Sequence, residues 1–169
     1  MLQRPHIILL TLALLLVCTV TVQAKEVTTL EEVPDNVRTA CEKYGEEYNI
    51  APGLLEAIIW HESRYTPGVY AGSCKGLMQV NVTYHQDRMK KLGVTNIFDV
   101  DGNIHVGADY LAELFALYED PAVVLGFYHG ESNAIWKAKN NKLSSYTKSV
   151  LEKAAEFEEL EAKQKAKGE

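Results

Sequence analysis

The chain has 169 residues, 47% of them apolar and 24% charged, which fits one globular domain with a short appendage. Its formal net charge of −6 argues against a nucleic-acid partner, whose phosphates call for a basic surface, and gives no attraction to an anionic membrane. The N-terminus departs from this average composition. Arg4 precedes an apolar run from Ile7 to Val22, and Val22-Gln23-Ala24 is a small-residue cleavage pattern. Residues 1–24 therefore read as a secretory signal peptide, with the mature chain starting near Lys25. An uncleaved anchor is the alternative, although the run is short for a span of about 20 residues. It is also the one membrane contact the sequence offers. A lipid-anchor reading at Cys18 is weaker, because Val17 is bulkier than such a site needs. Cleavage would remove Arg4 and no acidic residue, taking the net charge from −6 to −7.

Residues 25–34 read as a polar linker. Asp35 is a candidate N-cap for a helix through about Tyr48, with Val37, Ala40, Cys41, Tyr44 and Tyr48 on one side. Asn49 to Gly53 reads as a turn. The next stretch, Leu54 to Tyr65, reads as helix, with Pro52 in the first turn and Pro67 just beyond the end. Leu55, Ile58 and Ile59 share a face, and Glu62 continues that apolar stripe. Two readings stay open for Glu62: a helix-end side chain that bends out to solvent, or a carboxyl whose burial raises its pKa.

Pro67, Gly68 and Gly72 mark a loop from Thr66 to Lys75. At most a short β-hairpin is expected between Gly72 and Val80. Val82 to Leu92 is helix-compatible and closes at Gly93. Ile97 to Gly102 reads as an acidic loop carrying Asp99 and Asp101. Asn103 to Tyr118 is the most regular helical pattern. Asp120 and Pro121 are N-cap and first residue of a further helix, Ala122 to Tyr128, apolar nearly all round and expected to be buried. Ser132 is a candidate cap for a short helix with Ile135 and Trp136. From Ser144 a long charged helix follows, with Tyr146, Val150, Ala154, Phe157 and Leu160 on one face and a last stretch, Lys163 to Glu169, expected to fray. The fold class is mainly α, divided as linker 25–34, domain 35–143 and C-terminal amphipathic helix 144–169.

Two cysteines, Cys41 and Cys74, would survive cleavage. An even pair in an exported chain predicts one disulfide, worth about 3–4 kcal/mol by loop-closure entropy, against the alternative of two free thiols. Metal chemistry is not expected. A zinc-protease helix needs His-Glu-x-x-His, and the position four after His61 is Tyr65. Nor does Ser63 stand on a strained Gly-x-Ser-x-Gly turn. The remaining chemistry is acid catalysis by one carboxylic acid in an apolar setting, which suits cleavage of a glycosidic bond. Most glycosidases pair the acid with a second carboxylate. Asp99 and Asp101 are the candidates, though Asp in a loop is more often a turn residue.

Four ordered motifs resemble the catalytic domain of the soluble lytic transglycosylases, in the lysozyme-like superfamily. Leu54-Leu55-Glu56-Ala57-Ile58-Ile59 leads into Glu62-Ser63, similar to that family's catalytic Glu-Ser. Gly76-Leu77-Met78-Gln79 resembles its Gly-Leu-Met-Gln element. Asn103-Ile104 with Gly107, Tyr110 and Leu111 resembles its Asn-Ile helix. Phe127-Tyr128-His129-Gly130 stands in the place of its Ala-Tyr-Asn-Ala-Gly motif, with His129-Gly130 a departure from it. The resemblance implies a lysozyme-like helical domain with a cleft, acting on peptidoglycan glycan strands; the expected oligomeric state is a monomer, and no cofactor is expected. It implies Glu62 as the general acid and then the general base. It implies Ser63, Gln79 and Tyr128 as residues that orient substrate or acid, and Met78 as a wall of the cleft. The alternatives are a lysozyme-type hydrolase using Asp99 or Asp101, and a non-catalytic wall-binding module.

Overall fold

A computed structural model describes residues 33–168; the expected signal peptide (1–24), Cys18 and linker residues 25–32 lie outside the described residues. The described residues fold as seven helices around one core, with a three-stranded antiparallel sheet of two-residue strands to one side. The fold is mainly α and lysozyme-like. Among the described residues no helix is long and apolar enough to cross a membrane.

Helix α1 (Asp35–Tyr48) buries Val37, Ala40, Cys41 and Tyr44, one stripe at helical spacing, and ends at Asn49 in the left-handed region. Helix α2 (Pro52–Ser63) is different. Leu54, Leu55, Glu56, Ala57, Ile58 and Ile59 are all buried in succession, so no face of its middle reaches water. The local pattern suggests one apolar stripe, but two layers enclose the helix. Helix α1 covers one side and α7 (Ser145–Gly168) the other, α2 against α7 being the most extensive packing between elements. Complete burial of Leu55, Ile58 and Ile59 contributes about 1.5–3 kcal/mol each.

The hairpin expected between Gly72 and Val80 gains a third strand. β1 (Tyr70–Ala71), β2 (Cys74–Lys75) and β3 (Val80–Asn81) pair with Ala71 opposite Cys74 and Cys74 opposite Asn81. Helix α3 is confined to Gln86–Lys91, shorter than the Val82–Leu92 pattern predicts. The Asn81 carboxamide oxygen accepts from Thr83 N at 3.1 Å, and the Asn81 carbonyl from Tyr84 N, so the chain turns there before it coils.

Helix α4 (Val100–Leu117) begins earlier than expected, because Asp99 is its N-cap and accepts from Gly102 N at 2.9 Å. Helix α5 (Pro121–Tyr128) starts as its sequence predicts, with Asp120 accepting from Ala122 N. Its buried residues are Val123 to Gly126, and its last turn opens toward solvent. Helix α6 (Ala134–Lys139) has Asn133 at its N-cap and no side-chain cap, so Ser132 does not serve there. Ser144 caps α7 by accepting from Thr147 N at 3.1 Å. Tyr146, Val150, Ala154 and Phe157 face the core, and the helix stays regular through Gly168.

The cysteines correct another expectation. Both are free thiols. Cys41 lies on the core face of α1, with Glu56, Glu42 and Arg38 as its charged neighbours, whereas Cys74 sits on β2 within reach of Glu62. The two belong to different neighbourhoods, so an even cysteine count does not produce a bridge here.

Candidate active site

Glu62 occupies the last turn of α2, after which Arg64 and Tyr65 both take left-handed backbone angles and turn the chain away. Its side chain does not bend out into open solvent. Tyr146 of α7 donates its hydroxyl to Glu62 Oε1 at 2.8 Å. Burial pushes the Glu62 carboxyl above the usual range; the Tyr146 hydrogen bond and the nearby His129 pull it partly back. Tyr146 is itself buried, and its pKa is raised by burial and by Glu62, so the phenol keeps its proton and acts as a permanent donor. His129 stacks flat on the Tyr146 ring, centroids 3.9 Å apart, and His61 meets the same ring edge-on at 4.8 Å.

The Gly76-Leu77-Met78-Gln79 turn stands beside this carboxyl. Gly76 has φ +77°, and a Cβ there would strike the Asn103 carboxamide, so this position requires glycine. Asn103, fully buried on α4, holds the turn with three hydrogen bonds: its Oδ1 accepts from Met78 N at 2.8 Å, and its Nδ2 donates to Ile97 O and Lys75 O. Gln79 adopts φ +46° and donates Nε2 to Val69 O and Gly76 O, which fixes its side chain along the loop. Tyr128 donates its hydroxyl to Met78 O at 2.8 Å, bracing the same turn from α5.

A cavity of about 340 Å³ opens here, with Gln79, Tyr84, His85, Tyr110, Tyr128 and His129 among its walls. That is the lower end of the range for small-ligand sites. Glu62 adjoins it: its charge acts on Cys74 and Tyr128, both wall residues. Of the residues singled out in the sequence, Glu62, Gln79 and Tyr128 come together at this cavity. Ser63 does not face it, since its hydroxyl is buried and donates to Ile59 O at 3.0 Å. The Met78 side chain is 0% exposed and packs against Gly107, so it stands behind the cleft in the core and not in its wall; only its backbone serves the site. Asp99 is committed to the cap of α4, and Asp101 accepts from the Tyr44 hydroxyl at 2.7 Å and pairs with Lys43. Among the described residues no three His, Cys, Asp or Glu side chains gather as metal ligands.

Sequence reasoning missed two contributors. Tyr146 is legible only as one apolar position of the last helix, because nothing local marks where its hydroxyl points. Asn103 stands in a recognisable motif, but its role as the tether of the Met78 turn depends on contacts 25 residues away.

The arrangement defines a helical, lysozyme-like domain whose cleft ends at one half-buried carboxyl held by a phenol. Residues 39–150 match the Transglycosylase SLT domain family, and the chain belongs to that family. The match reaches into α7 and includes Tyr146. The chain is 38% identical over 95 residues to a transglycosylase of Enterobacteria phage PRD1, covering 55% of this chain and 34% of the phage protein. It is 34% identical over 93 residues to the X polypeptide of Escherichia coli, covering 50% of this chain and 54% of that protein. The chain thus spans between a third and just over half of the relatives it matches.

Proposed function

We propose that the chain is an exported peptidoglycan lytic transglycosylase that cuts the β-1,4 bond from N-acetylmuramic acid to N-acetylglucosamine without consuming water. The observation that carries this is Glu62, a carboxyl with a raised pKa at the end of a cleft in a domain of this family. The family match and the phage transglycosylase support the reaction class. Peptidoglycan lies outside the cytoplasmic membrane, in keeping with the export signal read in residues 1–24.

In this mechanism Tyr146 holds Oε1, so Glu62 carries its proton on Oε2 and delivers it to the glycosidic oxygen as the bond to the muramic C1 breaks. The acetamido oxygen of the same muramic unit attacks C1 and takes the place of a second carboxylate, which suits a site where Asp99 and Asp101 are engaged elsewhere. The muramic 6-hydroxyl then attacks C1, the acetamido oxygen leaves, and the carboxylate of Glu62 takes the hydroxyl proton. The proton balance closes, and the product is a 1,6-anhydro end. Gln79 contacts the glycan from the cavity wall, while Tyr128 and Ser63 act as positioning residues.

Digestion of purified peptidoglycan followed by mass spectrometry tests the reaction. Muramic ends lighter by one water are expected. Reducing ends of full mass would make the protein a lysozyme-type hydrolase, and no soluble product would make it a binding module.

Tyr146→Phe tests the geometry. Removing the hydroxyl takes away a donor that lowers the Glu62 pKa, so the alkaline limb of the pH–rate profile moves to higher pH. The plateau rate falls about tenfold to a hundredfold as the carboxyl loses its orientation. An unchanged profile and rate would remove Tyr146 from the mechanism.

A further inference from the structure

Helix α6 carries apolar and cationic side chains together on its outer side. Ile135 is 39% exposed and Trp136 52%, two large apolar residues next to each other at the surface. Lys139 stands four residues after Ile135 and three after Trp136, so it neighbours both on the helix. Lys142 joins them from the turn that follows, its Nζ lying 5.2 Å from the centre of the Trp136 ring. From Ser132 to Leu151 the chain has four lysines (137, 139, 142 and 148) and no acidic residue, although its net charge is −6. Among the described residues only Lys137 of these four is committed to an ion pair, with Glu131 at 2.8 Å.

The patch has a fixed base. Ala134 is buried, and a Cβ on Gly126 of α5 would come within 2.6 Å of the Ala134 Cβ, so the two helices touch there. Asn140 Nδ2 donates to Trp136 O at 2.8 Å, and Lys142 N donates to Lys137 O at 2.9 Å. Together these close the end of α6 and bring Lys142 back beside Trp136. None of Ile135, Trp136, Lys139 and Lys142 lines the cavity beside Glu62.

The two kinds of side chain narrow the partner. Ammonium groups call for an anion. An exposed isoleucine gains nothing from a dissolved polyanion or a hydrated peptide stem; its burial needs an apolar medium. Indole favours the boundary between the two, with its ring in the apolar layer and its N–H toward water. Lysine stems can lie along the same boundary with their charged heads at the polar side. An anionic lipid surface satisfies all four at once, with phosphates at the level of the ammonium groups and acyl chains beneath.

We propose that Ile135, Trp136, Lys139 and Lys142 form a docking surface for an anionic phospholipid bilayer. Attachment through this face is peripheral and reversible, since two apolar side chains and two charges fall short of a permanent anchor. It leaves the cleft open, because none of the four belongs to it. It is also independent of the reaction, so a protein without turnover would dock in the same way.

Trp136 reports on its own docking. Trp60→Phe leaves it as the sole tryptophan of the chain. This variant of the exported protein is mixed with vesicles of phosphatidylglycerol and phosphatidylcholine whose acyl chains carry bromine. Trp136 emission is expected to shift to the blue and lose about half its intensity, less so as salt rises. Vesicles of phosphatidylcholine alone leave it unchanged. Lys139→Gln combined with Lys142→Gln lowers the partition coefficient read from Trp136 about tenfold to a hundredfold, at about fivefold per charge. Both lysines are exposed, so the double variant keeps the fold and the peptidoglycan release of the parent. Any attachment through residues 1–24 is common to parent and variants and does not change the Trp136 signal between them. Unchanged emission on the anionic vesicles overturns the proposal, and so does an equal response to phosphatidylcholine alone or to the double lysine variant. A blue shift of the same size with polyphosphate and no lipid also overturns it, making the patch a site for soluble polyanions. Should Trp60→Phe not fold, the parent is read instead, with Trp136→Leu supplying the Trp60 background.

Discussion

Glu62→Gln is expected to lower the release of soluble muropeptides by about a thousandfold, within the range set by the loss of one general acid and base. The substitution is nearly isosteric, and the amide oxygen of glutamine can still accept the Tyr146 hydroxyl that now holds Oε1. What disappears is the proton. Glutamine can neither protonate the glycosidic oxygen nor recover a proton from the muramic 6-hydroxyl, so both halves of the reaction fail together. Binding to insoluble peptidoglycan should persist, because the walls contributed by Gln79, Tyr110 and Tyr128 are untouched. Two assays on the same preparation separate these effects: muropeptide release for turnover and co-sedimentation with sacculi for binding. A variant that turns over at the parent rate would exclude Glu62 as the acid. The parent should also lose activity as pH rises through the raised pKa of Glu62, because only the protonated form can begin the reaction.

The parts of this site that were legible in the sequence are those whose meaning lies within a few residues. Asp120 followed by Pro121 sets a helix start by local hydrogen bonding alone, and the structure has it there. Gly76 through Gln79 is recognisable by its resemblance to the family's Gly-Leu-Met-Gln element, and the structure adds the reason for the first residue, since Gly76 has a positive φ and no room for a Cβ. Residues whose role depends on distant chain were misread or unseen. Tyr146 reaches Glu62 from 84 positions away. Met78 stands in a recognisable motif, but a motif does not say whether side chain or backbone does the work; here the thioether is in the core and the backbone is at the site. Asp99 and Asp101 look like loop carboxylates until the start of α4 and the Lys43–Tyr44 pair claim them. Cysteine parity carries no geometry at all, and Cys41 and Cys74 are not bridged.

Glu56 follows the same rule and has a large thermodynamic consequence. In the sequence it is one residue of Leu54-Leu55-Glu56-Ala57-Ile58-Ile59, and a helix with one apolar stripe would turn it to water. With α7 closing the second side of α2, Glu56 is 0% exposed, and neither carboxyl oxygen has a hydrogen-bond partner among the described residues. Burial raises its pKa from 4.5 to about 7; Arg38 pulls it down, and Glu161 and Glu42 push it further up. The folded chain therefore holds this proton more tightly than the unfolded chain does. Stability from this group is fully present below about pH 4.5, declines as pH rises toward 7 and levels off above it, a loss on the order of 3 kcal/mol. Glu56→Gln stays neutral at every pH and should remove that decline. Urea unfolding of parent and variant at pH 5 and pH 8 measures it: the variant should gain on the order of 3 kcal/mol relative to the parent between the two conditions. Comparing the two proteins cancels the titration of Glu62 and the histidines, which both share. A stability difference that does not change with pH would mean Glu56 is not protonated in the fold. Glu56 and Glu62 lie on one helix and make the same demand on pH, because the helix is most stable when Glu56 keeps its proton and the reaction starts only when Glu62 keeps its own. Mildly acidic conditions should therefore favour both the stability of the domain and its turnover.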